Sequence, residues 1–558
     1  MQKRNIIYLT LAVILALVFI LTGCSSPSPT TTAAPPATSA TTTPTTTLPP
    51  PSTSAASPTP TSPVVTTASP TASPTATVQT GGIFTMITAN APSSFGYPVK
   101  AVGFAPNFAI VPCLESLLQA NTDGSILPKL ATSWDIAPDK SSITFHLRQG
   151  VKFQDGTDFN AQAAKWNLDL FLARGTGSAA DWKSIDVVDN YTVRVNLKQF
   201  KNTQLTNFDG VTMISPTAVQ KNGVDWAITH PVGTGPFTFK SFIPNTSLEY
   251  TRFDGYWGGK PNVDGIKFIY ITDATTAAMA FEGGDALAWE QADPQTAYTL
   301  MQSGKYKEET RPGPGMYLIP DGANADSPFA KLEVREAAVY AIDRPTIVKN
   351  MGYNSWQAIN QPADPSQFGY VANLQNSHAY DPDKAKQLLA AAGYPNGFTT
   401  SIITSSAFPK DPLVAIQGYL AAVGIKANID VQSPSAWAQT RLTGWKNGLF
   451  FVTHGATDSN YCAFLERYYT PKSAFAVPVM YYPAGWLDQL NQMLASSDPT
   501  QYQAMAQQMV QTYTNNVMEI PLWIQEAVYL EDLNVHAMGI GTHTNGFGWN
   551  AANVWISK

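Results

Sequence analysis

Side chains able to do chemistry are sparse and scattered in this 558-residue chain. Its six histidines stand at positions 146, 230, 378, 454, 536 and 543, and they form no close metal-ligand pair. His536 and His543 are the nearest, at a separation with no established ligand geometry behind it. Neither G-x-S-x-G nor H-E-x-x-H occurs, so the signatures of two large hydrolase groups are missing. Two segments look at first like phosphate cradles: PVGTGPF, residues 231–237, and GYWGGKP, residues 255–261. Gly233, Gly235 and Thr238 do not complete G-x-G-x-x-G. The second segment is one residue short of a P-loop and ends in Pro261 where Ser or Thr must hold magnesium. Both read as turns. Carboxylates far apart in sequence can still meet for glycoside hydrolysis, so a surface hydrolase is the competing functional class. No catalytic residue, metal or cofactor is expected.

Cys24 is the thiol whose setting is most specific. Lys3 and Arg4 precede an apolar run from Ile6 to Leu21, and Leu21, Thr22, Gly23 and Cys24 follow in order, the layout of an export signal. The run is shorter than the roughly 20 residues that span a bilayer. Leu-Thr-Gly-Cys resembles a bacterial lipobox, which implies that residues 1–23 are removed and that Cys24 is lipidated. Each buried methylene contributes about 0.8 kcal/mol, so several acyl chains on one cysteine make a durable tether. Residues 24–81 read as a disordered linker: from Ser25 to Thr80 the chain is almost wholly Ser, Thr, Pro and Ala, without charge or aromatic ring. Such a segment has nothing to bury and cannot offset its ordering entropy. Extended as polyproline II it would reach on the order of 170 Å. The formal charge is −6 and no basic block occurs, so nucleic acid is an unexpected partner. Cys113 and Cys462 are too few for a disulfide framework and read as buried free thiols.

From Gly82 onward the chain alternates short strands with amphipathic helices, which points to an α/β fold with mixed sheets. Asp381-Pro382 opens a helix with a stripe at Ala385, Leu388, Leu389 and Ala392, and Gly393 ends it. Asp411-Pro412 opens another, Gly424 closes it, and Ile425, Ala427, Ile429 and Val431 alternate as a half-buried strand. Asp498-Pro499 starts a third, with Tyr502, Met505, Ala506, Met509, Val510 and Tyr513 as its apolar face. Ile143, Phe145 and Leu147 alternate, and Asn160 caps a helix using Ala164, Leu168, Phe171 and Leu172.

Several segments in order resemble the bacterial extracellular solute-binding proteins of family 5, the oligopeptide, dipeptide and nickel type of ABC-transporter binding lipoprotein. They are SWDIAPDKSSITFHLRQGVKFQDGTD (133–158), PVGTGPF, YWGGKP (256–261), FAKLEVREAAVYAIDR (329–344) and YDPDKAKQLLAAAGY (380–394). The resemblance implies a two-lobed periplasmic-binding-protein fold of type II. Lobe I would comprise 82–111, 232–318 and 522–558, a subdomain inserted in it 112–231, and lobe II 319–521. The chain would cross between lobes near 317–322 and near 520–525. It further implies a monomer outside the cytoplasmic membrane that captures a solute by hinge closure and passes it to membrane permease subunits.

Family ligands sit between the lobes, partly against a loop after a lobe II strand. Here that strand is expected near Leu449–Val452 and the loop is THGATDSNY, 453–461. This loop departs from the peptide-binding pattern, with His454 where Gly-Trp is common and Thr457-Asp458 in place of Asp-Pro. The expected ligand-binding residues are His454, Asp458, Asn460 and Tyr461 from this region, with Trp445 and Tyr317, and Trp289, Glu290, Phe104 and Phe108 from lobe I. Asp458 or Glu290 would meet a peptide's ammonium group. A short peptide is favoured over an oligosaccharide, nickel complex or other solute.

Overall fold

The computed structural model describes residues 78–558 except 102, 122–123, 176, 456–459, 472, 474 and 541–547. Cys24, the export signal and most of the linker lie outside the described residues, as does Asp458.

The local start signals act as side-chain caps. Asp381 accepts from the Lys384 amide and opens the helix Pro382–Ala391, and Asp498 accepts from Thr500 and Gln501 to open Pro499–Asn515. Asn160 does the same for Ala161–Arg174. Such a cap is worth about 1 kcal/mol, because it satisfies amides that have no partner inside the helix. Asp411 is itself the first residue of Asp411–Ala422, and its helix ends before Gly424, whose φ of +98° suits glycine. The strand Ile425–Gln432 follows and pairs in parallel with Phe398–Ser405.

Two large sheets organise the chain. The first has seven strands in the order Phe237–Ile243, Ser247–Arg252, Gly265–Tyr270, Ile83–Thr88, Ala288–Trp289, Ala527–Asp532 and Tyr306–Arg311. Its three middle strands, Gly265–Tyr270, Ile83–Thr88 and Ala288–Trp289, run parallel to one another. The second has six, in the order Trp356–Ala358, Ile520–Gln525, Gly315–Pro320, Gly448–His454, Phe398–Ser405 and Ile425–Gln432. Both faces of this sheet are buried, and period-two alternation divides its residues. Met316, Leu318, Leu449 and Phe451 enter one core, and Tyr317, Ile319, Phe450 and Val452 the other. A separate four-stranded antiparallel sheet, Ala131–Ile136, Ser142–Leu147, Thr192–Leu197 and Trp182–Asp189, carries its own core with the helix Ala161–Arg174.

The strand pairings move the inter-sheet passages away from the positions expected from sequence. Gly315–Pro320 and Ile520–Gln525 are strands of the second sheet, paired with each other, while Tyr306–Arg311 and Ala527–Asp532 pair in the first. The chain therefore passes between sheets at 312–314 and at Glu526. The two passages touch: a Cβ on Gly313 would stand 2.0 Å from the Gln525 carbonyl oxygen. The strand expected at 449–452 also runs on through Thr453 and His454, because Gly315 and Met316 remain opposite to pair with them.

Candidate ligand-binding site

Thr88 and Tyr270 end two neighbouring parallel strands, and Glu290 immediately follows a third. Register sets them side by side: Thr88 is opposite Tyr270, and Ile87 is opposite Trp289, one residue before Glu290. Alternation sends them to the face that also carries Met86, Phe268 and Ala288. The carboxyl ends of parallel strands are the usual place for a ligand in open α/β sheets, since the connections diverge there and leave a crevice.

A cavity of about 270 Å³ occupies this place, lined by Thr88, Phe104, Phe108, Tyr270, Glu290 and Gln291 among others. The helix Phe104–Ile110 covers it, with Phe104 stacked on Phe108 at 5.4 Å. Two of its polar groups lack partners. Thr88 Oγ1 and Tyr270 OH are buried without a hydrogen bond. Glu290 is 6% exposed, and burial pushes its carboxyl up to about 8, opposed by the nearby Arg311 charge. Arg311 is also buried. Its Nε donates to the Tyr529 hydroxyl at 3.1 Å, and its guanidinium lies over the Phe104 ring at 5.2 Å. Gln291, at a strained φ of +51°, borders a second cavity of about 370 Å³ lined by Arg311, Gly313, Pro314, Gln525 and Glu526, at the passages between sheets.

Other residues expected at the site are placed elsewhere. Trp289 points to the opposite face from Glu290 and packs with Phe281 and Leu530 in a core, because adjacent strand residues face opposite ways. Tyr317, Trp445 and Tyr461 belong to the core of the second sheet. Trp445 stacks on Phe450 at 4.6 Å and donates to the Gly448 carbonyl. Asn460 caps the helix Tyr461–Tyr468 and donates to the Asn202 carbonyl. His454 is 1% exposed, with Nε2 3.0 Å from Glu519 Oε1, and Tyr469 and Tyr513 donate to the same carboxylate at 2.9 Å. This is a buried polar knot inside the second sheet's core, and none of these six residues lines either cavity. Thr88, Tyr270, Gln291 and Arg311 went unnoticed in the sequence, where no motif distinguishes them.

The glycine motifs hold chain segments together. A Cβ on Gly233 would meet the Cys113 carbonyl oxygen at 2.0 Å, and one on Gly235 would meet it at 2.7 Å. Gln154 binds the same turn, accepting from the Gly233 amide and donating to the Gly235 and Phe237 carbonyls. The buried Glu115 accepts from Thr234, Tyr256 and Trp257 at 2.8, 2.9 and 2.7 Å, which joins PVGTGPF to YWGGKP. Cys113 and Cys462 are free and buried, and burial pushes both thiols up to about 12, which leaves them poor nucleophiles.

Two sheet-centred lobes joined by adjacent crossing segments, with a cavity at the carboxyl ends of parallel strands, define a periplasmic-binding-protein-like fold. The chain belongs to the bacterial extracellular solute-binding proteins, family 5, whose "Middle" profile matches residues 125–476. It is 34% identical over 321 residues to the glutathione-binding protein GsiB of Shigella flexneri, a match covering 54% of this chain and 60% of that protein. Among solved structures it resembles the periplasmic binding protein DppA of Helicobacter pylori in complex with the peptide STSA. The TM-score is 0.67 at 25% identity, over 86% of this chain and 99% of that one. It also resembles NikA of Brucella suis in complex with Fe(III)-EDTA, with a TM-score of 0.73 at 25% identity, over 85% and 100% of the two chains.

Proposed function

We propose that the chain is the substrate-binding subunit of an ABC importer, capturing a short peptide between its lobes and delivering it to a membrane permease. The observation that carries this reading is the row of polar groups at the strand ends beside the inter-sheet passages, the unpartnered Tyr270 and Thr88 hydroxyls and the buried Glu290 carboxyl. A buried polar group without a partner costs about 1–3 kcal/mol, and a ligand that bonds to it recovers that cost. Rotation at 312–314 and at 526 closes the lobes, and a permease distinguishes the closed liganded form from the open one. The binding wall in lobe I comprises Glu290, Phe104 and Phe108, and Glu290 receives the ligand's ammonium.

The names of the relatives favour a peptide: one is called glutathione-binding, and another was solved with STSA. An oligosaccharide stacked on Phe104 and Tyr270, or a metal chelate, is the second reading, since NikA was solved with Fe(III)-EDTA. Catalysis has no part in this role, and the chain acts as a monomer held outside the cytoplasmic membrane through Cys24. Native mass spectrometry of ligand co-purified with the protein tests the peptide assignment. Recovery of peptides is the expected result. Recovery of sugars, or stabilisation by oligosaccharides and by no peptide in a mixed library, overturns it.

A further inference from the structure

Glu290 and Arg311 form an unusual pair of an acid and a base. Both are more than nine-tenths buried, and neither forms a salt bridge among the described residues. The strand order explains why they do not meet. The first sheet runs Gly265–Tyr270, Ile83–Thr88, Ala288–Trp289, Ala527–Asp532, Tyr306–Arg311, so Tyr270, Thr88, Glu290, Tyr529 and Arg311 follow one another across it. Tyr529 shares the core of Met86 and Phe268, while its neighbours Val528 and Leu530 face the other way, which puts Tyr529 on the Glu290 side. Arg311, two residues from the Glu309↔Tyr529 pair, lies on that face too and bonds to the Tyr529 hydroxyl. Two strands across at about 4.8 Å each and two residues along at about 3.3 Å each, the Glu290 and Arg311 backbones are roughly 12 Å apart. The gap fits a small group that satisfies both charges.

An ammonium has three N–H donors. Thr88 Oγ1 and Tyr270 OH, both buried without a hydrogen bond, and the Glu290 carboxyl, which forms no ion pair among the described residues, line one cavity and offer three acceptors to such a group. An ammonium alone would nevertheless be repelled by Arg311. A carboxylate beside the ammonium removes that objection, since guanidinium and carboxylate pair in a bidentate fork. The inference rests on the peptide reading above and refines it. We propose that this row recognises an intact α-amino-acid head, ammonium at Glu290, Thr88 and Tyr270 and carboxylate at Arg311, and so selects peptides linked through a side-chain carboxyl. An ordinary α-linked peptide carries its ammonium on one residue and its carboxylate on another. A γ-glutamyl peptide keeps both on one carbon. The rest of such a ligand extends toward the larger cavity lined by Gly313, Pro314 and Gln525.

Calorimetric titration of the full-length protein in detergent micelles tests the proposal with four probes. They are glutathione, its α-linked isomer, glutaryl-cysteinylglycine lacking the ammonium, and 4-aminobutanoyl-cysteinylglycine lacking the α-carboxylate. Glutathione should bind at least about tenfold more tightly than each of the other three, because each leaves one buried charge unpaired. Glu290→Gln and Arg311→Gln should abolish that preference, and the ligand-side deletions read the same contacts in wild-type protein if a variant fails to fold. Between about pH 6 and pH 8, glutathione affinity should rise about tenfold per unit as protons leave Glu290. The groups packed against it are Arg311, Tyr270 and Tyr529; burial pushes Tyr270 well up and Tyr529 up to about 12, so neither tyrosine loses its proton over that range. Equal or tighter binding of the α-linked isomer overturns the head assignment and leaves the peptide reading standing. Failure of all four probes, with other peptides bound, likewise refutes only the head assignment, whereas failure with every peptide refutes both.

Discussion

Glu290 and Trp289 are adjacent in sequence and opposite in fate. The sequence marks the pair together, yet alternation sends Trp289 into a core and Glu290 into a cavity, and only the pairing of neighbouring strands decides which goes where. Glu290 also makes a prediction about stability. Its carboxyl is raised from an ordinary 4.5 to about 8, so the folded chain holds that proton more tightly than the unfolded one. The linked stability is complete below the unfolded value and is lost as pH rises to about 8, a total of order a few kcal/mol. Glu290→Gln removes this titration, so the variant should gain thermal stability relative to wild type between about pH 5 and pH 8.5. The same difference in melting temperature at both values would contradict the assignment. His454 teaches the complementary lesson. It was expected to meet ligand, and it is instead bonded to Glu519 in a core. Removing one partner of a buried hydrogen bond leaves the other unsatisfied at a cost of about 1–3 kcal/mol, so His454→Ala should destabilise the fold by at least that order, as denaturant titration would reveal.

At the scale of elements, the crossing segments are the most informative. Gly313 sits against the Gln525 carbonyl with no room for a methyl group. Gly313→Ala must separate the two passages, and we expect a loss of about 1–3 kcal/mol in stability by the same titration. A neutral effect would mean that the passages are not held in contact. Helix starts were legible because Asp-Pro and Asn caps act within a few residues of themselves, and each of Asp381, Asp498 and Asn160 caps its predicted helix. The sequence puts the crossings several residues too far into the second sheet, since nothing local tells Tyr306–Arg311 and Gly315–Pro320 that they pair in different sheets. The site was legible only in part for the same reason. Thr88, Tyr270 and Arg311 belong to three strands widely separated in sequence, and register alone brings them to one face. The glycine motifs were recognised as turns, but their partners, Cys113, Gln154 and Glu115, lie far upstream.

At the scale of the whole molecule, the family assignment and the paired sheets support a body that works by relative motion of its lobes. The anchor belongs to the same picture: Cys24→Ala should release the protein from membranes with its signal still cleaved, and fractionation with unchanged membrane retention would refute lipidation. The central claim is closure around a soluble ligand. Small-angle scattering tests it most directly, comparing the protein alone with the protein saturated with the peptide recovered from native mass spectrometry. The account predicts a smaller radius of gyration in the saturated sample, with both curves those of a monomer. Stoichiometric binding that leaves the scattering curve unchanged would contradict it.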